Sequence, residues 1–186
     1  MLSMREQGRH YERAFEAYLR SRRIPYVVVN EARRTLAPRE AGLAGDGALK
    51  SFDLAVQLGG GSSLLVDVKG RRAGPGGRIS GLQSWVTEDD VRSLQHWERV
   101  WGGAVGVFVF VYWCPSQPAD GLFGEVFEWN RRWYALRTVE VAAYARAMRQ
   151  RSSRWGTVHL SARDFDRLAG AFEQTHHRLL TTTGSP

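Results

Sequence analysis

The stretch LLVDVKGRR, residues 64–72, carries an aspartate and a lysine inside an apolar run. Side chains alternate between the two faces of a strand, so Asp67 and Lys69 share one face at a separation of roughly 7 Å. The opposite face is fully apolar and consists of Leu64, Val66 and Val68. One interpretation is a strand that ends in polar residues with a surface salt bridge. The other is a catalytic strand that presents a metal ligand and a lysine on the same face.

A second carboxylate is predicted to lie beside this pair. Residues 51–69 indicate a β-hairpin, because two β-rich segments flank the sequence GGGS. Such pairing brings Asp53 next to Asp67, and two carboxylates repel each other unless a cation lies between them. Mg²⁺ binds through one or two carboxylates together with waters and phosphate oxygens. Two aspartates with a lysine that orients or deprotonates a water therefore predict phosphodiester hydrolysis.

Lysine is scarce in this chain. Of the 26 basic side chains only Lys50 and Lys69 are lysines, and the rest are arginines. Lysine can give up a proton when its pKa is lowered, which arginine cannot readily do. The scarcity of lysine elsewhere therefore favours a chemical role for Lys69.

The elements that must position these residues follow from the hydrophobic pattern. A helix is predicted over residues 5–22 and a strand over 25–31. Residues 32–50 contain proline and glycines without a clear period, which indicates a loop. Residues 70–84 are rich in glycine and arginine and are predicted to form a mobile connection.

A second helix and a buried strand are predicted next. Thr87 and Asp90 resemble a capping box at the start of the helix. The expected buried stripe of this helix contains Val91, Leu94, Trp97 and Trp101. Gly102 and Gly103 are expected to end it. The continuous apolar run at 104–113 is typical of a central strand that is covered on both faces.

The C-terminal part predicts a hairpin over 122–139 and helical stretches near 140–150 and 162–174, with Ser161 as the cap of the second stretch. Residues 181–186 are expected to be disordered. The whole order of elements predicts an α/β sandwich around a central mixed β-sheet, with a C-terminal hairpin and helices added.

The segments FD at 52–53 and LLVDVK at 64–69 together resemble the PD-(D/E)xK nuclease pattern. This superfamily has the restriction-endonuclease-like αβα fold and includes Holliday-junction resolvases. Resolvase-like members carry a first-helix glutamate in the pattern G-x-x-x-E, which Gly8 and Glu12 match here. Residues 91–110 look like the helix and strand that follow the catalytic strand in those enzymes. The resemblance covers about residues 6–113, and Phe52 stands where the name of the pattern has proline.

The resemblance implies a role for each matching position. Asp53 and Asp67 would ligate Mg²⁺, with help from the Val68 carbonyl, and Mn²⁺ would also support activity. Lys69 would serve the attacking water. Glu12 would hold the metal or its water, although Glu16, one helical turn later, is an alternative.

Other residues carry weaker expectations about the substrate. Arg71, Arg72 and Arg78 follow the catalytic strand and would contact a phosphate backbone; the alternative is a solvated linker. Trp85 is the best candidate for stacking on a base. Gln95, on the second helix, would support the active site or face solvent.

The composition limits the remaining possibilities. The formal net charge of +7 favours a polyanionic partner such as nucleic acid, although an arginine-rich composition alone would produce the same charge. Among nucleic acids, DNA rather than RNA is the partner expected from the nuclease resemblance. Cys114 is the only cysteine, and no apolar run approaches the ~20 residues of a membrane helix. A cytoplasmic protein with one domain over residues 1–186 is therefore expected, with a core at 6–113 and an extension at 114–180. The resemblance also implies a possible homodimer.

The sequence thus predicts a Mg²⁺-dependent endonuclease. Two alternatives stay open: a nuclease-like domain that binds nucleic acid or a protein partner without cutting, and a structural module whose charge is incidental. A G-x-S-x-G elbow and a phosphate-binding G-x-x-x-x-G-K-[ST] loop are both missing from the sequence. These absences argue against a serine hydrolase and against ATP hydrolysis by that route.

Overall fold

The computed structural model describes residues 4–29, 50–58, 62–74, 83–118 and 125–183. Within these ranges the helices are α1 (Met4–Ser21), α2 (Glu88–Trp101), α3 (Val141–Ala147), α4 (Ala162–Leu168) and α5 (Phe172–Thr183). The strands are β1 (Tyr26–Val28), β2 (Leu54–Gln57), β3 (Ser63–Arg72), β4 (Val86–Thr87), β5 (Val105–Cys114), β6 (Val126–Trp129), β7 (Arg132–Glu140), β8 (Arg149–Ser152) and β9 (Thr157–His159). None of the helices in these ranges has both the length and the apolar character to cross a membrane.

Six strands form the main sheet in the order β1-β2-β3-β5-β7-β6. The pair β3–β5 is parallel and the other neighbours are antiparallel, so the sheet is mixed, as predicted. The parallel pair is connected through α2, as a parallel crossover usually requires a helix. Strands β4, β9 and β8 form a separate small sheet.

Helices cover both faces of the main sheet. On one face α1 and α5 supply Phe15 and Phe172 to a cluster that includes Leu64 and Val66 of β3. On the other face α2, α3 and α4 pack on a cluster that includes Leu65 of β3. The prediction that residues 104–113 form a central strand is confirmed, because β5 contributes buried side chains to both clusters. Mixed α/β architecture with a central mixed sheet is therefore established.

Two glycines allow α1 and α2 to approach the sheet closely. A Cβ atom at Gly70, in β3, would lie 2.1 Å from Cδ2 of Tyr11 in α1. A Cβ atom at Gly106, in β5, would lie 2.8 Å from Cγ of Leu94 in α2. Both distances are far below a normal contact, so each helix lies against its strand only because a side chain is absent there.

The local expectations for the second helix are confirmed at its ends. Thr87 Oγ1 accepts the Asp90 N–H at 3.1 Å and Asp90 Oδ2 accepts the Thr87 N–H at 2.8 Å, which completes a capping box. Gly102 ends the helix with a φ of 52°. The predicted burial of Trp101 is wrong, since its side chain is 47% exposed. It lies in the last turn and touches only the edge of the core through Phe52.

The sequence predicts a mobile connection over residues 70–84, and this is wrong for residues 70–72, which belong to a strand. Strand β3 continues to Arg72, because Arg71 and Arg72 pair with Tyr112 and Trp113 of β5. Residues 83–84 are also ordered: Ser84 is buried, and its hydroxyl bonds the backbone of Leu160. Arg78 and most of the predicted loop 32–50 lie outside the described residues.

The C-terminal part differs from the prediction in three places. The helix expected near 162–174 is two helices, because the segment around Gly170 pairs with Thr138 of β7 through bonds of 2.8 and 2.9 Å. Residues 181–183 belong to α5 and are not disordered. The helix expected near 140–150 ends at Ala147, and the hairpin of β8 and β9 follows it. The predicted hairpin over 122–139 is confirmed as β6–β7, with Ser161 as the cap of α4.

Candidate active site

Asp67 and Lys69 lie on the face of β3 that α2 covers. Their β5 neighbours are Phe108 and Phe110, which belong to the same cluster as α2. Lys69 Nζ is 2.8 Å from Asp67 Oδ1, and little of either side chain is exposed. The alternation predicted from the sequence is therefore confirmed, and the pair forms an ion pair that is largely screened from water.

Asp53 lies directly before β2 and beside the end of the β2–β3 pairing. Its N–H donates to the Val66 carbonyl at 2.8 Å, and its Oδ2 accepts the Val68 N–H at 2.7 Å. The N–H and carbonyl of one strand residue point toward the same neighbouring strand. The Val68 carbonyl is therefore directed to the side on which Asp53 lies.

Burial and a neighbouring carboxylate make each of the two aspartates costly to ionise. Burial raises the pKa of Asp53 well above its usual range, and the Asp67 carboxylate raises it further; the Val68 N–H and Lys69 oppose this only in part. Burial also raises the pKa of Asp67 against the opposing effect of Lys69, and the Asp90 carboxylate raises it further. A cation binds most favourably in such an environment, because it removes the repulsion between the carboxylates.

A third aspartate, Asp90 of α2, binds the lysines of this site. Its Oδ2 is 3.2 Å from Lys69 Nζ and its Oδ1 is 2.9 Å from Lys50 Nζ. Burial opposes its ionisation, yet Lys69, the bonds from Lys50 and the Thr87 N–H lower the pKa of Asp90 to about 2. Asp90 is therefore a carboxylate at every pH at which the protein would work.

Lys50 is held against α2 by its backbone as well as its side chain. Its N–H donates to Ser93 Oγ at 3.1 Å and its carbonyl accepts from Trp97 Nε1 at 2.9 Å. Its Nζ also donates to Thr87 Oγ1 at 2.9 Å, while 40% of the side chain stays exposed. Both lysines of the chain thus converge on one carboxylate, and one of them is open to solvent.

Lys69 is a cation in this arrangement. Burial alone would lower the pKa of Lys69, but the carboxylates of Asp67 and Asp90 outweigh it and raise the pKa above its usual value. The two carboxylates therefore hold Lys69 in its charged form in the metal-free fold.

The first helix places Glu12 within electrostatic range of Asp53, whereas Glu16 makes contacts elsewhere. The charge of Glu12 is among the causes that raise the pKa of Asp53, which requires the two groups to be near each other. Glu16 Oε2 instead accepts from the Tyr26 hydroxyl at 3.0 Å and from Arg20 at 3.3 Å.

The other predicted residues lie farther along β3 or on α2. Arg71 is half-buried and its guanidinium carbon lies 4.0 Å from the centroid of the Trp85 ring. Arg72 is exposed and lies 4.9 Å from the Trp113 ring centroid. Gln95 has no hydrogen bond to the site within the described part of the chain, where Asp90 instead supplies the contact from α2.

Sequence reasoning missed two residues of the site. The scarcity of lysine could have identified Lys50 as a candidate site residue, because this signal applies equally to both lysines. Asp90 was recognised only as a capping residue, and its contact with Lys50 spans 40 positions along the chain. No local pattern in the sequence reports such a contact.

The donor set suits a metal that keeps most of its water. Among the described residues no three carboxylate, imidazole or thiolate groups converge to form a metal cage. The Asp53 and Asp67 carboxylates and the Val68 carbonyl are hard oxygen donors, as Mg²⁺ prefers, and Mg²⁺ commonly takes only one or two carboxylates from the protein. The site also has a net charge of −2 when all its groups are ionised, because four carboxylates face two lysines: Glu12, Asp53, Asp67 and Asp90 against Lys50 and Lys69. The residues therefore fit a hydrated divalent ion.

Comparison with protein-family models and with curated proteins gives no match to this chain.

Proposed function

We propose that the protein is a metal-dependent endonuclease of the PD-(D/E)xK superfamily that hydrolyses phosphodiester bonds of nucleic acid, with DNA as the expected substrate. The observation that carries the proposal is the meeting of Asp53, Asp67 and Lys69 at one end of the β2–β3 pair. The Asp67 carboxylate adds to the cost of ionising the buried Asp53, and a divalent cation would relieve that cost.

The order of elements supports the same proposal. The chain runs α1, β1, β2, β3, β4, α2, β5, in which β4 belongs to the small sheet, and the main mixed sheet carries helices on both faces. This order resembles the restriction-endonuclease-like fold, in which a helix glutamate and a hairpin precede the catalytic strand. Membership of that fold family is part of the proposal and rests on resemblance.

Each residue has a role that its position allows. Asp53 and Asp67 would hold Mg²⁺, with the Val68 carbonyl as a further oxygen donor. The ion would supply a polarised water and charge stabilisation of the phosphate. Lys69 would orient the water and offset negative charge as the phosphate is attacked. Asp90 fixes the Lys69 ammonium in place, and Glu12 approaches from α1. By analogy with the superfamily, the products carry 5′-phosphate and 3′-hydroxyl ends.

The test is a cleavage assay with plasmid, single-stranded DNA, branched DNA and RNA, each with Mg²⁺, Mn²⁺ or EDTA. Asp67→Ala and Lys69→Ala should abolish cleavage, since one removes a metal ligand and the other removes the cation beside it. Asp89→Ala is the matched control, because Asp89 is a neighbouring aspartate whose side chain is 54% exposed and pairs with Arg92 at the surface. Metal-dependent cutting that survives in both site variants would refute the assignment.

A second function is favoured by one observation. Among the described residues no three carboxylate, imidazole or thiolate groups are arranged to hold a metal ion by themselves, and a domain that binds nucleic acid without cutting would also show this. Calorimetric titration with Mn²⁺ separates the two: uptake that Asp67→Ala removes supports the nuclease, and nucleic-acid binding without metal uptake supports the binding domain.

A further inference from the structure

The face of β3 that carries Asp67 and Lys69 continues with Arg71, roughly 7 Å farther along the strand. The Arg71 guanidinium donates to the Gly70 carbonyl at 2.8 Å and to the Trp85 carbonyl. It also lies against the Trp85 ring. Arg71 therefore joins the segment that contains Trp85 to the end of the candidate catalytic strand.

A cavity of about 240 Å³ opens beside Trp85. Gln83, Trp85, Arg151, His159 and Leu160 are among its lining residues, so it offers hydrogen-bonding groups, a cation and apolar surface together. The cavity is open to solvent and offers room for a planar group such as one nucleobase.

Arg151 contributes a positive charge to the lining of this cavity. Its guanidinium carbon lies 5.1 Å from the Trp85 ring centroid, and no carboxylate of the described residues lies within ion-pair distance. Arg149, on the same strand, differs because it lies 3.8 Å from Asp164. An arginine that is held by a ring and lacks a carboxylate is arranged to bind an anion or the edge of a base.

The hairpin of β8 and β9 extends this surface and is tied to the site. Strand β9 pairs with β4, and the Glu88 N–H at the start of α2 donates to the Gly156 carbonyl at 2.8 Å. At the hairpin turn Arg154 lies 5.3 Å from the ring centroid of Trp155, whose side chain is 70% exposed. A basic side chain beside an exposed aromatic ring is the combination that binds a single strand of nucleic acid.

We propose that this cavity binds the nucleotide next to the scissile phosphate, and that Arg154 and Trp155 bind the strand beyond it. The proposal rests on the proposed function and narrows its substrate class. A base must leave its pair to enter the cavity, so the preferred substrate is single-stranded or unpaired at the cut. Arg71 sets the position of the cavity relative to Lys69, and Arg151 supplies the contact with the nucleotide.

Binding is tested on the full chain in EDTA, so that no metal-dependent cutting takes place. Fluorescence anisotropy would give the dissociation constant for a labelled single strand and for the duplex of the same sequence. Arg151→Ala should weaken single-strand binding on the order of tenfold, as expected for loss of a hydrogen bond to a charged group. Arg151→Lys keeps the charge but not the planar fork, and it should fall between Arg151→Ala and the wild type. Arg22→Ala is the matched control, because Arg22 pairs with Glu173 on the opposite face of the sheet.

A second readout follows the base itself. An oligonucleotide with 2-aminopurine at successive positions should change its fluorescence at one position only, and Arg151→Ala should remove that change. Equal affinities of Arg151→Ala and Arg22→Ala for the single strand would overturn the proposal, as would duplex binding as tight as single-strand binding. Arg151-dependent binding by a protein that cuts nothing with metal would instead refute the nuclease and leave the cavity in place.

Discussion

Replacing Asp90 by asparagine should lower the free energy of unfolding of the metal-free protein by about 2 kcal/mol at neutral pH. The pKa of Asp90 falls from 3.8 to about 2 in the fold, and one pKa unit corresponds to about 1.4 kcal/mol. Asp90 is buried, so this energy is not reduced by solvent as it would be at the surface. Asparagine keeps the shape and the capping acceptor but removes the charge that Lys50 and Lys69 bind.

The pH dependence of this loss identifies its cause. A carboxylate whose pKa is lowered by folding stabilises the protein at pH values above the unfolded pKa of about 3.9. That contribution disappears as the pH falls from about 4 towards the folded pKa of about 2. The difference between the wild type and Asp90→Asn should therefore be constant at neutral pH and should shrink towards zero in acid.

Urea unfolding followed by circular dichroism, in EDTA at pH 7 and at pH 2.5, measures the difference directly. Asp89→Asn is the control, because that neighbour is exposed and a surface ion pair contributes about 1 kcal/mol or less. A difference between wild type and Asp90→Asn that is the same at both pH values would refute the electrostatic reasoning. A loss no larger than that of Asp89→Asn at pH 7 would refute it as well.

Three further changes test other parts of the site. Asp53→Asn should raise the melting temperature of the metal-free protein. The raised pKa of Asp53 means that its ionised form destabilises the fold, and this destabilisation grows as the pH rises above about 4. Mg²⁺ should stabilise the wild type and not the variant, and a lower melting temperature of the metal-free variant would contradict the reasoning. Gly70→Ala should lower the free energy of unfolding by about 1–3 kcal/mol, because the new methyl overlaps the Tyr11 ring. Gly74 has open space around it, so Gly74→Ala should leave the stability unchanged. Equal urea midpoints for Gly70→Ala and Gly74→Ala would contradict the packing argument. Lys69→Arg should keep part of the cleavage rate if the lysine acts only as a cation, whereas a rate as low as that of Lys69→Ala would indicate proton transfer.

The hairpin and the face shared by Asp67 and Lys69 could be predicted because they depend on local rules. Strand alternation fixes which side chains share a face, and a turn sequence between two β-rich segments fixes the pairing. The capping box of Thr87 and Asp90 is equally local, since it spans three residues. These features include Asp53, Asp67 and Lys69, so these three residues of the candidate site could be found from sequence alone.

The features that were missed depend on contacts between distant parts of the chain. Arg71 and Arg72 lie in a strand because β5 offers a parallel partner along their whole length, which overrides the local signal of glycine and arginine. The helix predicted after Ser161 is interrupted because Gly170 pairs with Thr138. Strand β8 has the polar sequence RQRS, without the apolar alternation that indicates a strand.

The convergence of both lysines on Asp90 also makes the site unusually easy to observe by spectroscopy. Reductive methylation with ¹³C-formaldehyde labels lysine amines and preserves their charge, so the spectrum of this chain contains two lysine resonances, from Lys50 and Lys69. Both ammonium groups bind one carboxylate, and a single labelled sample therefore reports on the site with no signal from lysines elsewhere. A metal ion, a phosphate or an oligonucleotide that reaches the site would shift the same two peaks, each by an amount set by its distance.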